Sequence, residues 1–113
     1  MNPLLQQSIE TWQINNRINL MILDELNTEA LASTLSKRGG RTVALQFAHL
    51  HNVRLQWLEV AMPAIYRTQT KINKEAILDA ASLQKSLTAS ANAIAEWMAT
   101  ADEEGKLKGY KKA

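Results

Sequence analysis

Thr42-Val43-Ala44-Leu45-Gln46-Phe47-Ala48-His49-Leu50-His51-Asn52-Val53-Arg54-Leu55-Gln56-Trp57-Leu58-Glu59-Val60-Ala61 is the stretch that decides the fold. Thr42 has the side chain of a helix N-cap, and Pro63 stops the pattern soon after Ala61. Between them the segment is apolar on more than one side. Val43, Phe47, Leu50 and Leu58 make one helical face; Leu45, Val53 and Val60 make another. A helix apolar around so much of its girth is buried by several neighbours, so the rest of the chain must supply helices to cover it.

Two further helices are legible on either side. The first is expected over about 3–26. Asn2 is placed to cap it and Pro3 fits the first helical position. Leu5, Ile9, Trp12, Asn16, Leu20 and Leu23 recur at three- and four-residue steps and share a face. Asn15, Asn16 and Asn19 are poor helix formers, and Asn16 interrupts the apolar face. The reading is solvent exposure for some of them and a polar pocket within the bundle for the others. The third helix is expected over about 74–100, capped by Asn73, with a seam of Ile77, Ala80, Leu83, Leu87, Ala91, Ile94 and Met98. A helical turn capped by Thr28 is expected within 28–36. Gly39-Gly40 ends that connector. The spacing therefore predicts an all-α protein, an up-down bundle of three long helices, in one domain over 1–113. Such bundles usually close with four helices, so the second helix looks short of a neighbour, which a partner chain would supply.

Composition narrows the chemistry. The 113 residues contain no cysteine, which removes disulfides and thiolate chemistry and suits a cytoplasmic protein. The N-terminus has neither the basic nor the apolar region of a signal peptide. No run approaches the roughly 18 apolar residues of a membrane span. A net charge of +2 is weak, and Lys106, Lys108, Lys111 and Lys112 form a short basic tail. One such run on a bundle reads as a solvated end rather than a nucleic-acid footprint.

The candidates for chemistry are few. His49 and His51 are the two histidines. Residues two apart on a helix point about 200° apart, so one ion cannot take both. A catalytic zinc site needs about three protein ligands. Asp24, Glu25 and Glu59 are the nearest carboxylates, and there is no His-x-x-x-His or Glu-x-x-His pair. Taken alone, each histidine reads as a core-boundary residue. No Gly-x-Ser-x-Gly nucleophile elbow occurs. Gly39-Gly40 between Arg38 and Arg41 lacks the surrounding pattern of a phosphate loop. Trp12, Trp57 and Trp97 fall on three different helices and read as core and interface anchors.

The segment from Gly40 to Glu59 resembles the second-helix signature of the DinB-like metalloenzyme family. Trp12, Asn15, Asn16, Arg17 and Leu23 fit the first helix of that family. Asn73 to Leu78 and Gly105 to Lys111 fit the segments that lead into and out of its third helix. The resemblance spans nearly the whole chain, and the second helix is its strongest part. It implies a four-helix bundle and a divalent metal, zinc or nickel, held by three histidines, the first of which falls on His49. The other two belong to a His-x-x-x-His pair on a fourth helix. The chain ends at Ala113, about where that helix would begin, so two of the three ligands are expected to be absent. Characterised relatives implied by the resemblance include thiol-cofactor-dependent S-transferases and isomerases. Asn16 or Asn19 is expected to line the same polar pocket as His49.

Three functional readings follow. One is a DinB-like bundle with an incomplete metal site, acting as a homodimer through the faces a fourth helix covers. Another is a metal-dependent S-transferase or hydrolase whose site is completed in trans. The third is an interaction module with no active site. No membrane partner is expected, nucleic acid is disfavoured, and the sequence names no substrate.

Overall fold

The computed structural model describes residues 3–34, 41–73, 76 and 78–104. Asn2 as a cap, the Gly39-Gly40 break, Ile77 and the basic tail lie outside the described residues. Five helices occur in the order α1 (Pro3–Glu25), α2 (Thr28–Ala32), α3 (Val43–Ala61), α4 (Pro63–Tyr66) and α5 (Ala80–Glu104). Among the described residues helix is the only regular element, apart from an isolated bridge between Thr34 and Thr42.

Local chemistry sets the helix ends. Thr42 caps α3 as its sequence position indicates, its Oγ1 accepting the Leu45 N–H at 3.1 Å. At α2 the cap is Asn27 and not Thr28: the Asn27 Oδ1 accepts the Ala30 N–H at 2.8 Å. That short helix closes at Ser33, whose N–H and hydroxyl both donate to the Ala30 carbonyl. It therefore stops at Ala32, inside the expected span of 28–36. The third long helix begins later than the spacing suggested. Asp79 is its cap, accepting the Ser82 N–H at 2.7 Å. A carboxylate facing the free N–H groups of a first turn is favoured over the earlier Asn73. Asn73 instead closes a turn through its backbone carbonyl to the Ala76 N–H. Pro63 does more than stop α3. It opens the one-turn α4 directly after Met62.

The direction of the helices departs from simple up-down alternation. On α1, Trp12 donates to the Ala91 carbonyl and the Leu20 carbonyl accepts from Gln84, so α1 and α5 run antiparallel. Early residues of α3 (Ala44, Ala48) pack with early residues of α5 (Leu83, Leu87). Late residues of α3 (Leu55, Leu58) pack with later ones (Ala93, Ile94). The second and third long helices are therefore parallel. The connection between them therefore returns along the bundle, where a short loop would have made them antiparallel.

Two residues of α3 hold that crossover. The Asn52 side chain pairs with both backbone groups of Ile72, donating to its carbonyl and accepting from its N–H, each at 2.9 Å. The preceding residue, His51, donates from Nε2 to the Thr70 carbonyl at 2.8 Å. These bonds give non-helical backbone the partners it would otherwise lack against a helix.

The core has two apolar parts. One gathers Leu23, Leu31, Ala44, Ala48, Leu83 and Leu87; the other gathers Leu55, Leu58, Ala93 and Ile94, with Trp12 and Trp97 packed against it. The buried face of α3 is thus the one through Ala44, Ala48, His51, Leu55 and Leu58. On the other face Leu45 and Val53 are half-buried and Val60 is 73% exposed. Small Ala44 and Ala48 let α5 approach closely, which outweighs the larger side chains on the other faces.

Candidate functional site

Between the two apolar clusters lies a belt of buried polar groups. Asn16 on α1, His51 and Arg54 on α3, and Ser90 on α5 are all at most 6% exposed. Arg54 is the largest of them. Its Nη1 donates to the Leu87 carbonyl and to the Ser90 hydroxyl, each at 3.0 Å. Its guanidinium lies 4.8 Å from the centroid of the Trp12 ring, a cation–π contact that gains strength out of water. The Trp12 indole is held in turn by its bond to the Ala91 carbonyl at 2.9 Å.

No carboxylate contributes to the environment of Arg54, and burial alone lowers its pKa to about 10. At neutral pH the group is still charged. A cation in a core without a counter-ion is costly; here two hydrogen bonds and an aromatic face offset part of that cost. The Arg54 Nε and the Asn16 Oδ1 are both buried without a protein partner.

The two histidines have opposite surroundings. His51 is 1% exposed. Because a carbonyl only accepts, its bond to Thr70 fixes the proton on Nε2 and leaves Nδ1 as an acceptor in the neutral ring. That Nδ1 is buried and unpartnered. Burial pushes the His51 pKa down, the Thr70 carbonyl pulls it back up, and Arg54 lowers it further. His49 is exposed. It sits on the wall of an open groove of about 260 Å3 that also includes Arg41, Asn52, Ile72 and Asn73.

Asn16 and His49 do not meet in one pocket, contrary to the sequence expectation. Asn16 lines a different groove, of about 490 Å3, between α1 and α5, with Glu10, Arg17, Thr88 and Asn92. The buried face of α3 runs through His51, and His49, about 200° round the helix from it, is turned toward the crossover instead. The carboxylates named as supplementary ligands are also apart. Asp24, Glu25 and Glu59 are exposed, and Glu59 bonds the Tyr66 phenol, which raises the Tyr66 pKa. Among the described residues no group of three or more His, Asp or Glu side chains is arranged to hold a metal ion. One imidazole beside a guanidinium does not fit a divalent cation as a complete site.

The tryptophans divide. Trp12 and Trp97 are half-buried against the core, while Trp57 is 47% exposed. Arg54 is the residue that sequence reasoning passed over. Its signal was present: a cation at three- and four-residue steps from Leu50, His51 and Leu58, on a face that includes the apolar Leu50 and Leu58. No helix of the described residues is long and apolar enough to cross a membrane. No protein-family model, curated protein or solved structure matches this chain.

Proposed function

We propose that this chain is a DinB-like helical bundle in which His49 supplies a single ligand toward a divalent cation, zinc or nickel, with the remaining ligands lying outside the described residues. The observation that carries the choice of His49 is the contrast between the two histidines. His49 is exposed on an open groove, whereas the His51 ring is enclosed and its Nε2 is spent on Thr70. Metal binding at His51 would have to break a bond that holds the crossover. A lone imidazole binds zinc weakly, since about three ligands define a working site and supporting partners add further affinity. The chain by itself is then metal-poor, and an S-transferase or hydrolase activity would require ligands brought by another segment or chain.

The test is a zinc titration followed through the imidazole signals by NMR, for the parent, His49→Ala and His51→Gln. The reading predicts weak, saturable shifts at His49 that vanish in His49→Ala and persist in His51→Gln. Shifts that survive His49→Ala would overturn it.

A second reading, an interaction module without an active site, draws on a separate observation. The exposed large apolar side chains concentrate on α1, at Leu4, Ile14, Ile18, Met21 and Ile22, where a bundle helix would ordinarily be polar.

A further inference from the structure

The outward face of α1 has a regular order. Gln7, Thr11, Ile14, Ile18, Met21 and Glu25 follow one another at alternating steps of four and three residues, and every one of them is exposed. Ile14, Ile18 and Met21 are 48, 50 and 67% exposed, with Ile22 at 46% on the flank. On the opposite side of the same helix Asn16 and Leu23 are buried in the bundle. The helix is therefore apolar on two faces: one packs into its own core and the other repeats with the heptad spacing of a coiled-coil seam. A contiguous exposed apolar stripe of this kind marks a protein-binding surface.

Charge identifies the occupant. Glu10, Arg17 and Asp24 run along one edge of the stripe at seven-residue steps, all exposed. The other edge carries Ser8, Asn15 and Ile22. In a parallel helix pair each charged edge would face the uncharged edge of its partner. In an antiparallel pair the charged edge faces itself: aligned about Arg17 it would set like charges together, but shifted so that Arg17 meets Asp24 of the other copy it gives two attractive pairs.

We propose that α1 is the interface with a second copy of this chain, the two α1 helices pairing antiparallel about a two-fold axis near Asn19 and Leu20. Ile18 of each copy packs on Met21 of the other, and Ile22 closes the uncharged edge beside Asn15. Arg17 of each copy faces Asp24 of the other, which gives two identical ion pairs. An isologous two-fold contact of this kind is the commonest closed assembly. This register centres the contact on Ile18, Met21 and Ile22, in the C-terminal half of α1, and sets Ile14 beside Glu25 of the other copy at each end. The alternative register, with Arg17 facing Glu10, would set Ile18 against Gln7. The contact uses one helix face per copy, below the size of a standard stable interface, so the equilibrium lies in the micromolar range or weaker. This inference is independent of the metal reading.

Sedimentation equilibrium of the full chain from micromolar to millimolar concentration tests it, with circular dichroism confirming that each variant stays helical. The parent should show a monomer–dimer equilibrium, and Ile18→Asp should leave monomer. Arg17→Asp and Asp24→Arg should each weaken the dimer about tenfold, because two exposed attractions become two repulsions. The double variant R17D/D24R should regain parental affinity, and mixing the two single variants should give a heterodimer. A parent that is monomeric throughout, or a dimer that survives Ile18→Asp, would overturn the interface. Weakening by Glu10→Arg with none by Asp24→Arg would overturn the register.

Discussion

Arg54 is the residue whose placement most needs a physical account. A guanidinium 1% exposed gains from two acceptors and the Trp12 face, but its charge is not neutralised by a carboxylate. Removal and replacement should therefore have different costs. Arg54→Ala should destabilise by about 2–4 kcal/mol, through the cavity left by the long stem. Arg54→Met should cost no more than about 1 kcal/mol, because it fills most of the volume and removes a desolvated charge. Ser90 would not be orphaned, since its hydroxyl also lies 3.3 Å from the Leu87 carbonyl in its own helix. Urea unfolding of the two variants checks this, and a larger loss for Met than for Ala would contradict it. His51 gives a prediction in pH. Its folded pKa lies below the ordinary value of 6.5, so the unfolded chain takes up the proton first as pH falls. The stability that depends on a neutral His51 is present above pH 6.5 and is lost progressively below it. His51→Gln, which keeps an N–H donor for the Thr70 carbonyl, should flatten the pH dependence of the unfolding free energy below 6.5. An unchanged slope in that variant would show that His51 does not titrate on unfolding.

The helices themselves were largely legible because spacing and caps are local. Thr42 and Pro63 bound α3 as read, and the buried Leu83, Leu87 and Ile94 of α5 follow the seam drawn from three- and four-residue steps. Asn27 and Asp79 displaced the expected caps because any of several neighbouring polar residues can cap, and geometry chooses among them. The crossover was illegible for a different reason. Nothing in residues 67–73 announces their path; its partners are the side chains of His51 and Asn52, far away in sequence. The same distance hid the polar belt, where Asn16 was seen as a polar interruption and Arg54 was not singled out. Asn52 tests this directly. Asn52→Ala removes both bonds to Ile72 and leaves its N–H and carbonyl without protein partners, which should cost about 2–3 kcal/mol. Hydrogen exchange should show the Ile72 amide losing protection while the middle of α3 keeps its own. Equal loss along α3 would mean that Asn52 supports the helix rather than the crossover.

At the scale of the whole molecule, the rotation of α3 about its own axis determines which histidine meets solvent. It buries the His51 face against α5 and turns His49 toward the open groove beside the crossover. It also separates His49 from Asn16 and from the carboxylates of α1, so no full ligand set assembles among the described residues. A metal-dependent reading must therefore accept one histidine per chain, and affinity for zinc or nickel should be correspondingly low. The direct measurement is elemental analysis of the purified chain after dialysis against buffer with micromolar zinc, with its molar mass measured in the same sample. The account predicts far less than one zinc or nickel ion per chain. One tightly held ion per chain, retained in His49→Ala, would contradict it.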